Sequence, residues 1–275
     1  MRELAPAKIN LCLLVGPASA NGLHELVSLM QSITLCDELE LADGERDEVV
    51  CPGVEGPNLV ASAIAAFREA TGWDGPPQRI EIVKRIPVAA GLGGGSADAA
   101  AALRLLARRS QLAVQERLLG VAAGLGSDVP SQLNPGRVLV TGTGERVTRL
   151  ADPGPLGVLV LPSRAKLSTA AVYREAVRLG GARSAEELAA LDPLAMVGVN
   201  DLAAAALSLE PSIASALGLA REAGATTTMV CGSGPTAIGL FEDPPAAAHA
   251  AAKLRAAGVD AHAARPYPAL ANALW

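Results

Sequence analysis

The sequence predicts an α+β protein of two domains, and three observations carry that prediction. The chain's 275 residues exceed the usual size of a single hydrophobic core. Between Arg79 and Arg109 a strand pattern, a glycine-rich turn and a helical pattern follow one another directly. Asp152-Pro153-Gly154-Pro155 then punctuates the chain, and beyond it strands and helices are segregated rather than strictly alternating. The boundary is placed there, giving domains of residues 1–151 and 152–275.

Taken in order, Lys8 to Val15 alternates loosely and meets Gly16-Pro17, a strand running into a loop. Leu26 to Leu41 carries another strand or two. Asn58 to Thr71 places Leu59, Ala63, Ala66 and Phe67 on one helical face, with Gly72 as its stop signal. Arg79 to Ile86 reads as a strand, and Ser96 to Arg109 as an Ala/Leu-rich helix ending in arginines. Val138 to Val140 and Gly142-Thr143-Gly144 predict a hairpin. After the boundary come a strand at Gly157 to Leu161 and helices near Ser168 to Leu179, Ala185 to Leu191, Leu202 to Leu207 and Ser212 to Ala223. Strands at Thr227 to Val230 and Ala237 to Phe241 flank a turn, and Pro245 to Ala257 is helical.

Composition excludes several function classes. Half the residues are hydrophobic but only 2% are aromatic, so Ala, Val, Leu and Ile must fill the interior. A net charge of -5 and the absence of a basic cluster with interleaved aromatics argue against nucleic acid as a partner. Cys12, Cys36, Cys51 and Cys231 form no CxxC pair and have no histidine at metal-ligand spacing, so no metal ligand is assigned. Arg2, the apolar run Ile9 to Val15 and Ala18-Ser19-Ala20 faintly copy a signal peptide, but Glu3, Pro6, Lys8 and Asn10 spoil it. No segment approaches the roughly 18 apolar residues of a membrane span. A cytoplasmic protein with no membrane partner is expected.

Pro87 to Asp98 (PVAAGLGGGSAD) is the most informative stretch. Glycines admit positive φ and close backbone approach, so successive N–H groups can converge on phosphate oxygens. The helix that follows adds its own free N–H groups and partial positive charge. No Gly-Lys-Ser/Thr follows, so this is not a P-loop, and Ser96 stands where a dinucleotide fingerprint needs its third glycine. A flexible connection with Ser96 as a helix cap is the bland alternative.

Gly91-Leu92-Gly93-Gly94-Gly95-Ser96-Ala97-Asp98-Ala99-Ala100 resembles the second motif of the GHMP kinases. Pro6-Ala7-Lys8-Ile9-Asn10-Leu11 is similar to their first motif and Cys231-Gly232-Ser233-Gly234-Pro235-Thr236 to their third, in the same order. Within that superfamily the likeness is greatest to its diphosphocytidyl-polyol branch, on Asn21-Gly22-Leu23-His24, Asn58-Leu59, Lys84-Arg85-Ile86-Pro87 and Gly126-Ser127-Asp128-Val129-Pro130. The resemblance implies an N-terminal domain like ribosomal protein S5 domain 2 and a ferredoxin-like C-terminal domain. ATP and a small-molecule acceptor would meet between them, with Mg2+ as cofactor, in a monomer or homodimer.

The resemblance also implies site residues. Asp128 would take the acceptor's proton and Lys8 would hold it ionised, completing the little chemistry that phosphoryl transfer asks of a protein. By themselves these residues read more readily as a helix-capping aspartate and a solvated strand lysine, and it is the motif context that reverses that balance. ATP would be held by Asn58, Leu59, Lys84, Pro87, Val88, Ala89, Ala90, Gly91, Leu92, Gly93, Gly94, Gly95, Ser96 and Ala97. Ser96 and Asp98 would touch phosphate or Mg2+, or serve only in capping. Asn10, His24, Asp128, Thr169 and Tyr173 would contact the acceptor, the histidine reading a cytosine edge. Leu23 and Met30 stand where that branch has aromatic rings, leaving Tyr173 to stack and predicting a weaker hold. Two other readings remain open at this stage. One is a GHMP kinase of the phosphomevalonate or homoserine type; the other is a nucleotide-binding protein without catalysis.

Overall fold

The structure, a computed structural model, describes residues 1–18 and 23–268. Ser19, Ala20, Asn21 and Gly22, which belong to the signal-like segment and to one of the resembling stretches, lie outside the described residues. The chain opens with β1 (Arg2–Ala18) and β2 (His24–Asp43), then β3 (Glu48–Val50), α1 (Leu59–Thr71) and β4 (Gln78–Val83). Next come α2 (Gly94–Ser110), α3 (Gln115–Leu125), α4 (Val129–Leu133), β5 (Arg137–Gly142) and β6 (Arg146–Arg149). These strands form one six-stranded sheet ordered β3-β4-β2-β5-β6, with β1 against β2.

The remaining elements are β7 (Gly157–Leu161), α5 (Thr169–Arg178), α6 (Ala185–Ala190), α7 (Ala203–Leu209), α8 (Ser212–Glu222), β8 (Thr227–Val230), β9 (Ala237–Phe241), α9 (Pro244–Ala256) and β10 (His262–Ala264). Their four strands are ordered β10-β7-β9-β8, all antiparallel. A first strand flanked by the fourth and third is the ferredoxin-like arrangement, so the α+β expectation holds. The two sheets share one core in which Ile9, Leu29 and Ile33 pack with Val158, Met229 and Ile238. Leu13 also bridges to Asn200, and Ile33 to Pro266.

Two expected boundaries are corrected. Leu26 to Leu41 lies within a single strand of 20 residues, and β1 runs 17 residues, past Gly16-Pro17 to Ala18. The prolines do not stop β1 because the register shifts beside them, between Pro6 and Lys8 and between Val15 and Ala18. A missing N–H costs little where the ladder is already interrupted. The first shift, with a second between Asn10 and Cys12, sets the side chains of Lys8 and Asn10 apart from regular alternation.

Helix α2 is the axis of the first layer. Ala97, Ala99, Ala100, Ala101 and Ala102 are fully buried with Leu103, Leu105 and Leu106, so methyl-sized side chains let neighbouring elements approach on every face. Arg104 is buried among them. Its guanidinium donates to Glu3 Oε1 at 3.1 Å and to the carbonyls of Gln132 and Leu4 at 2.6 and 2.8 Å, which satisfies the charge. α3 is not among the expected helices, having no N-cap side chain to mark its start, and α4, whose start the sequence places at Asp128, is five residues long, too short to show a helical period.

Helix α9 follows the capping rules. Asp243 accepts from Ala246 N at 2.8 Å, with prolines at the first helical positions. Asp243→Ala is expected to cost about 1 kcal/mol, measured as a shift in urea midpoint at constant slope. Among the described residues, no helix is long and apolar enough to cross a membrane.

Candidate active site

The segment from β4 to α2 folds as an open cradle. Gly91 and Gly93 adopt positive φ, +75° and +67°, and both positions are crowded. A Cβ at Gly91 would lie 2.7 Å from the Gly234 carbonyl oxygen, so this turn rests directly on the Cys231-to-Thr236 turn. Gly93 occupies the N-cap of α2 and provides no side-chain cap. The N–H groups of Gly94, Gly95 and Ser96, the first three helical residues, are left without helical acceptors. Ser96 is therefore inside the helix and does not cap it.

This turn lines a cavity of about 360 Å³ together with Asn58, Leu59 and Lys84. Every residue expected to hold ATP lines it except Ala97, which is buried and donates its N–H to Gly93 O at 2.8 Å. That N–H is not available to a ligand. Asn58 caps α1 by accepting from Val60 N at 2.9 Å.

Lys8 and Asp128 meet beside the cradle. Lys8 Nζ lies 3.3 Å from Asp128 Oδ2 and donates to Asn10 Oδ1 at 2.9 Å. The lysine backbone N–H donates to Leu92 O at 2.9 Å, and its methylenes close against Gly93, where a Cβ would lie 2.8 Å from Lys8 Cγ. Burial pulls the ammonium's pKa down, but the Asp128 carboxylate, with smaller contributions from Cys231 and Tyr173, outweighs that and leaves it above its ordinary value. Lys8 therefore stays charged across neutral pH. Asp128 sits at the N-cap of α4 yet makes no capping hydrogen bond, so its carboxylate is directed to the lysine. Asn10 is buried and lines neither cavity. Its amide N donates to Ser28 Oγ at 2.8 Å while its oxygen holds Lys8.

Lys84 is more constrained than the sequence implies. Its ammonium pairs with Asp37 and, at 2.7 Å, with Asp98 Oδ2, just beneath the start of α2. Asp37 is fully buried and also accepts the N–H groups of Arg85 and Ile86, at 2.5 and 2.8 Å, pinning the chain as it enters the cradle. Burial, partly offset by Lys84, pushes the Asp98 carboxyl up to about 7. Asp98 Oδ1 has no hydrogen-bond partner among the described residues. Sequence reasoning missed Asp37. Its signal was present, since it shares the strand face of Leu39 and Leu41, where an acid must find partners.

A second cavity, of about 850 Å³, is lined by Ser127, which precedes Asp128 in the chain, and by Gly126, Leu23, His24, Thr169, Tyr173 and Arg174 among others; Asp128 itself is not among the lining residues. The His24 and Tyr173 rings lie 5.4 Å apart. His24 Nδ1 is 2.9 Å from Gly16 O, and a carbonyl can only accept, so Nδ1 carries the proton of the neutral ring and Nε2 presents a lone pair. Thr169 Oγ1 lies 3.1 Å from Ser233 Oγ, tying α5 to the third glycine turn. Met30, expected at a ring-stacking position, is buried against Val138 and Val140 and does not line the cavity. Leu23 does line it and is exposed.

Comparison with known proteins agrees with this geometry. The family profile described as GHMP kinases N terminal domain matches residues 58–136, and that described as GHMP kinases C terminal matches residues 173–260. The 4-diphosphocytidyl-2-C-methyl-D-erythritol kinase of Anaeromyxobacter dehalogenans (strain 2CP-C) is 42% identical over 282 residues, covering 95% of this chain and 89% of its own. The protein of that name from Streptomyces coelicolor (strain ATCC BAA-471 / A3(2) / M145) is 40% identical, covering 92% of this chain and 91% of its own. A crystal structure of 4-(cytidine 5'-diphospho)-2C-methyl-D-erythritol kinase superposes with a TM-score of 0.80 at 34% identity, covering 98% of this chain and all of that one. The chain belongs to the GHMP kinases and, within them, to the family of the 4-diphosphocytidyl-2-C-methyl-D-erythritol kinases.

Proposed function

We propose that this chain transfers the γ-phosphoryl group of ATP to the 2-hydroxyl of 4-diphosphocytidyl-2-C-methyl-D-erythritol, in the methylerythritol phosphate route to isoprenoid precursors. The observation that carries the reading is the Lys8–Asp128 pair: Lys8 packs against Gly93 of the glycine cradle, and Asp128 directly follows Ser127, which lines the second cavity. Phosphates laid along the free N–H groups of Gly94, Gly95 and Ser96 place the transferred group beside that pair.

In this reading Asp128 accepts the proton of the attacking hydroxyl. Lys8 keeps the carboxylate ionised beforehand and balances charge near the acceptor oxygen during transfer. Asn10, buried behind the pair, contributes by holding the ammonium in place. His24 Nε2, a bare acceptor, suits the exocyclic amine of cytosine, and the Tyr173 ring beside it offers a stacking face. Asn58 and Leu59 border the adenine end, with Lys84 acting beneath the cradle.

The donor set at the start of α2 fits Mg2+: Ser96 and Asp98 line the cradle's cavity and carry hard oxygen donors, and the buried Asp98 Oδ1 has no hydrogen-bond partner among the described residues. When bound, Mg2+ neutralises phosphate charge as transfer proceeds. We place the domain boundary at 151/152, between the last strand of the first sheet and the first strand of the second, and propose a cytoplasmic enzyme acting as a monomer or homodimer. All four cysteines are free. Purified protein with ATP and Mg2+ is expected to release ADP with the cytidine-diphosphate acceptor and at least roughly tenfold less efficiently with mevalonate derivatives or homoserine. Equal or faster turnover of those acceptors would reject the assignment, as would no heat of binding with the cytidine compound at millimolar concentration beside an ATP analogue.

A further inference from the structure

We infer that Arg174 binds the diphosphate of the acceptor and thereby selects a nucleoside-diphosphate-linked polyol over less charged alcohols; this rests on the acceptor reading above. The second cavity is lined by His24, Tyr173, Thr169 and Ser127 among others, and among the described residues no carboxylate lines it. A diphosphate entering it carries about two negative charges, whose water must be replaced by a counter-charge.

Arg174 is the side chain placed to provide it. It follows Tyr173 on α5, lines the same cavity, is exposed, and makes no ion pair or hydrogen bond among the described residues. Its neighbouring acid is committed elsewhere. Glu175 holds Arg178 through two hydrogen bonds of 2.7 Å and also accepts from Ser208 Oγ at 2.7 Å. The other nearby basic side chains are also engaged. The Lys8 ammonium serves Asp128 and Asn10, and the neutral His24 ring donates its Nδ1–H to the Gly16 carbonyl. An unpaired guanidinium offers a planar fork that matches phosphate oxygens two at a time, which a lysine's point charge reproduces only in part.

Steady-state kinetics of the full chain test this with Arg174→Gln and Arg174→Lys. Arg174→Gln is expected to raise the KM for the cytidine-diphosphate acceptor roughly tenfold, with kcat and the KM for ATP within about twofold of the unchanged protein. Arg174→Lys should recover part of that loss, and the gap between unchanged protein and Arg174→Gln should shrink as salt is added. Turnover by the unchanged protein with an unaltered acceptor KM in Arg174→Gln overturns the role of Arg174 alone, as does an equal rise in the KM for ATP. No turnover by the unchanged protein removes the acceptor reading and this inference together.

Discussion

Asp128→Asn is expected to lower kcat by at least roughly a hundredfold while leaving the fold and ATP binding in place. The amide is nearly isosteric with the carboxylate and can still accept a hydrogen bond from Lys8, but it cannot take a proton from the acceptor hydroxyl. Because the Asp128 side chain makes no capping bond to α4, the helix start loses nothing by the exchange. Single-turnover rates and calorimetric titration with an ATP analogue separate the two effects. A variant that turns over within tenfold of the unchanged protein would remove Asp128 as the proton acceptor.

The second large effect comes from Gly93→Ala, read against Gly95→Ala. At Gly93 a Cβ would sit 2.8 Å from Lys8 Cγ on a backbone with φ of +67°. The left-handed conformation alone costs about 1–2 kcal/mol, and overpacking against a buried lysine adds about 1–3 kcal/mol. The lysine must shift, which disturbs its 3.3 Å pairing with Asp128, so both stability and turnover should fall. At Gly95 a Cβ would meet nothing within 4 Å, yet the residue lines the cradle's cavity. Gly95→Ala should therefore leave the urea midpoint unchanged or slightly raised and weaken ATP binding about tenfold or more, because the methyl group takes the space a phosphate needs. Undiminished ATP affinity in that variant would mean that the phosphates do not lie on these amides.

Much of this protein was legible in its sequence because the informative physics is local. A glycine run between a strand pattern and an alanine-rich helix announces positive φ, free N–H groups and a helix start, whatever packs around it. The order of three motifs placed Lys8, the cradle and the third glycine turn in one site before any distance was known. Strand alternation even marked Asp37 as an acid on a core face, had that face been read. Tertiary structure decided the rest. That Lys8 pairs with Asp128, 120 residues further on, depends on β1 shifting register around Lys8 and on α4 being packed against α2. That Lys84 lies between Asp37 and Asp98 depends on β2 and β4 pairing side by side. Met30 is buried, while Leu23 is left lining the second cavity. These are contacts between residues far apart in the chain, fixed by burial and by the pairing of opposite charges, and neither periodicity nor spacing along the sequence encodes which distant partner a side chain will meet.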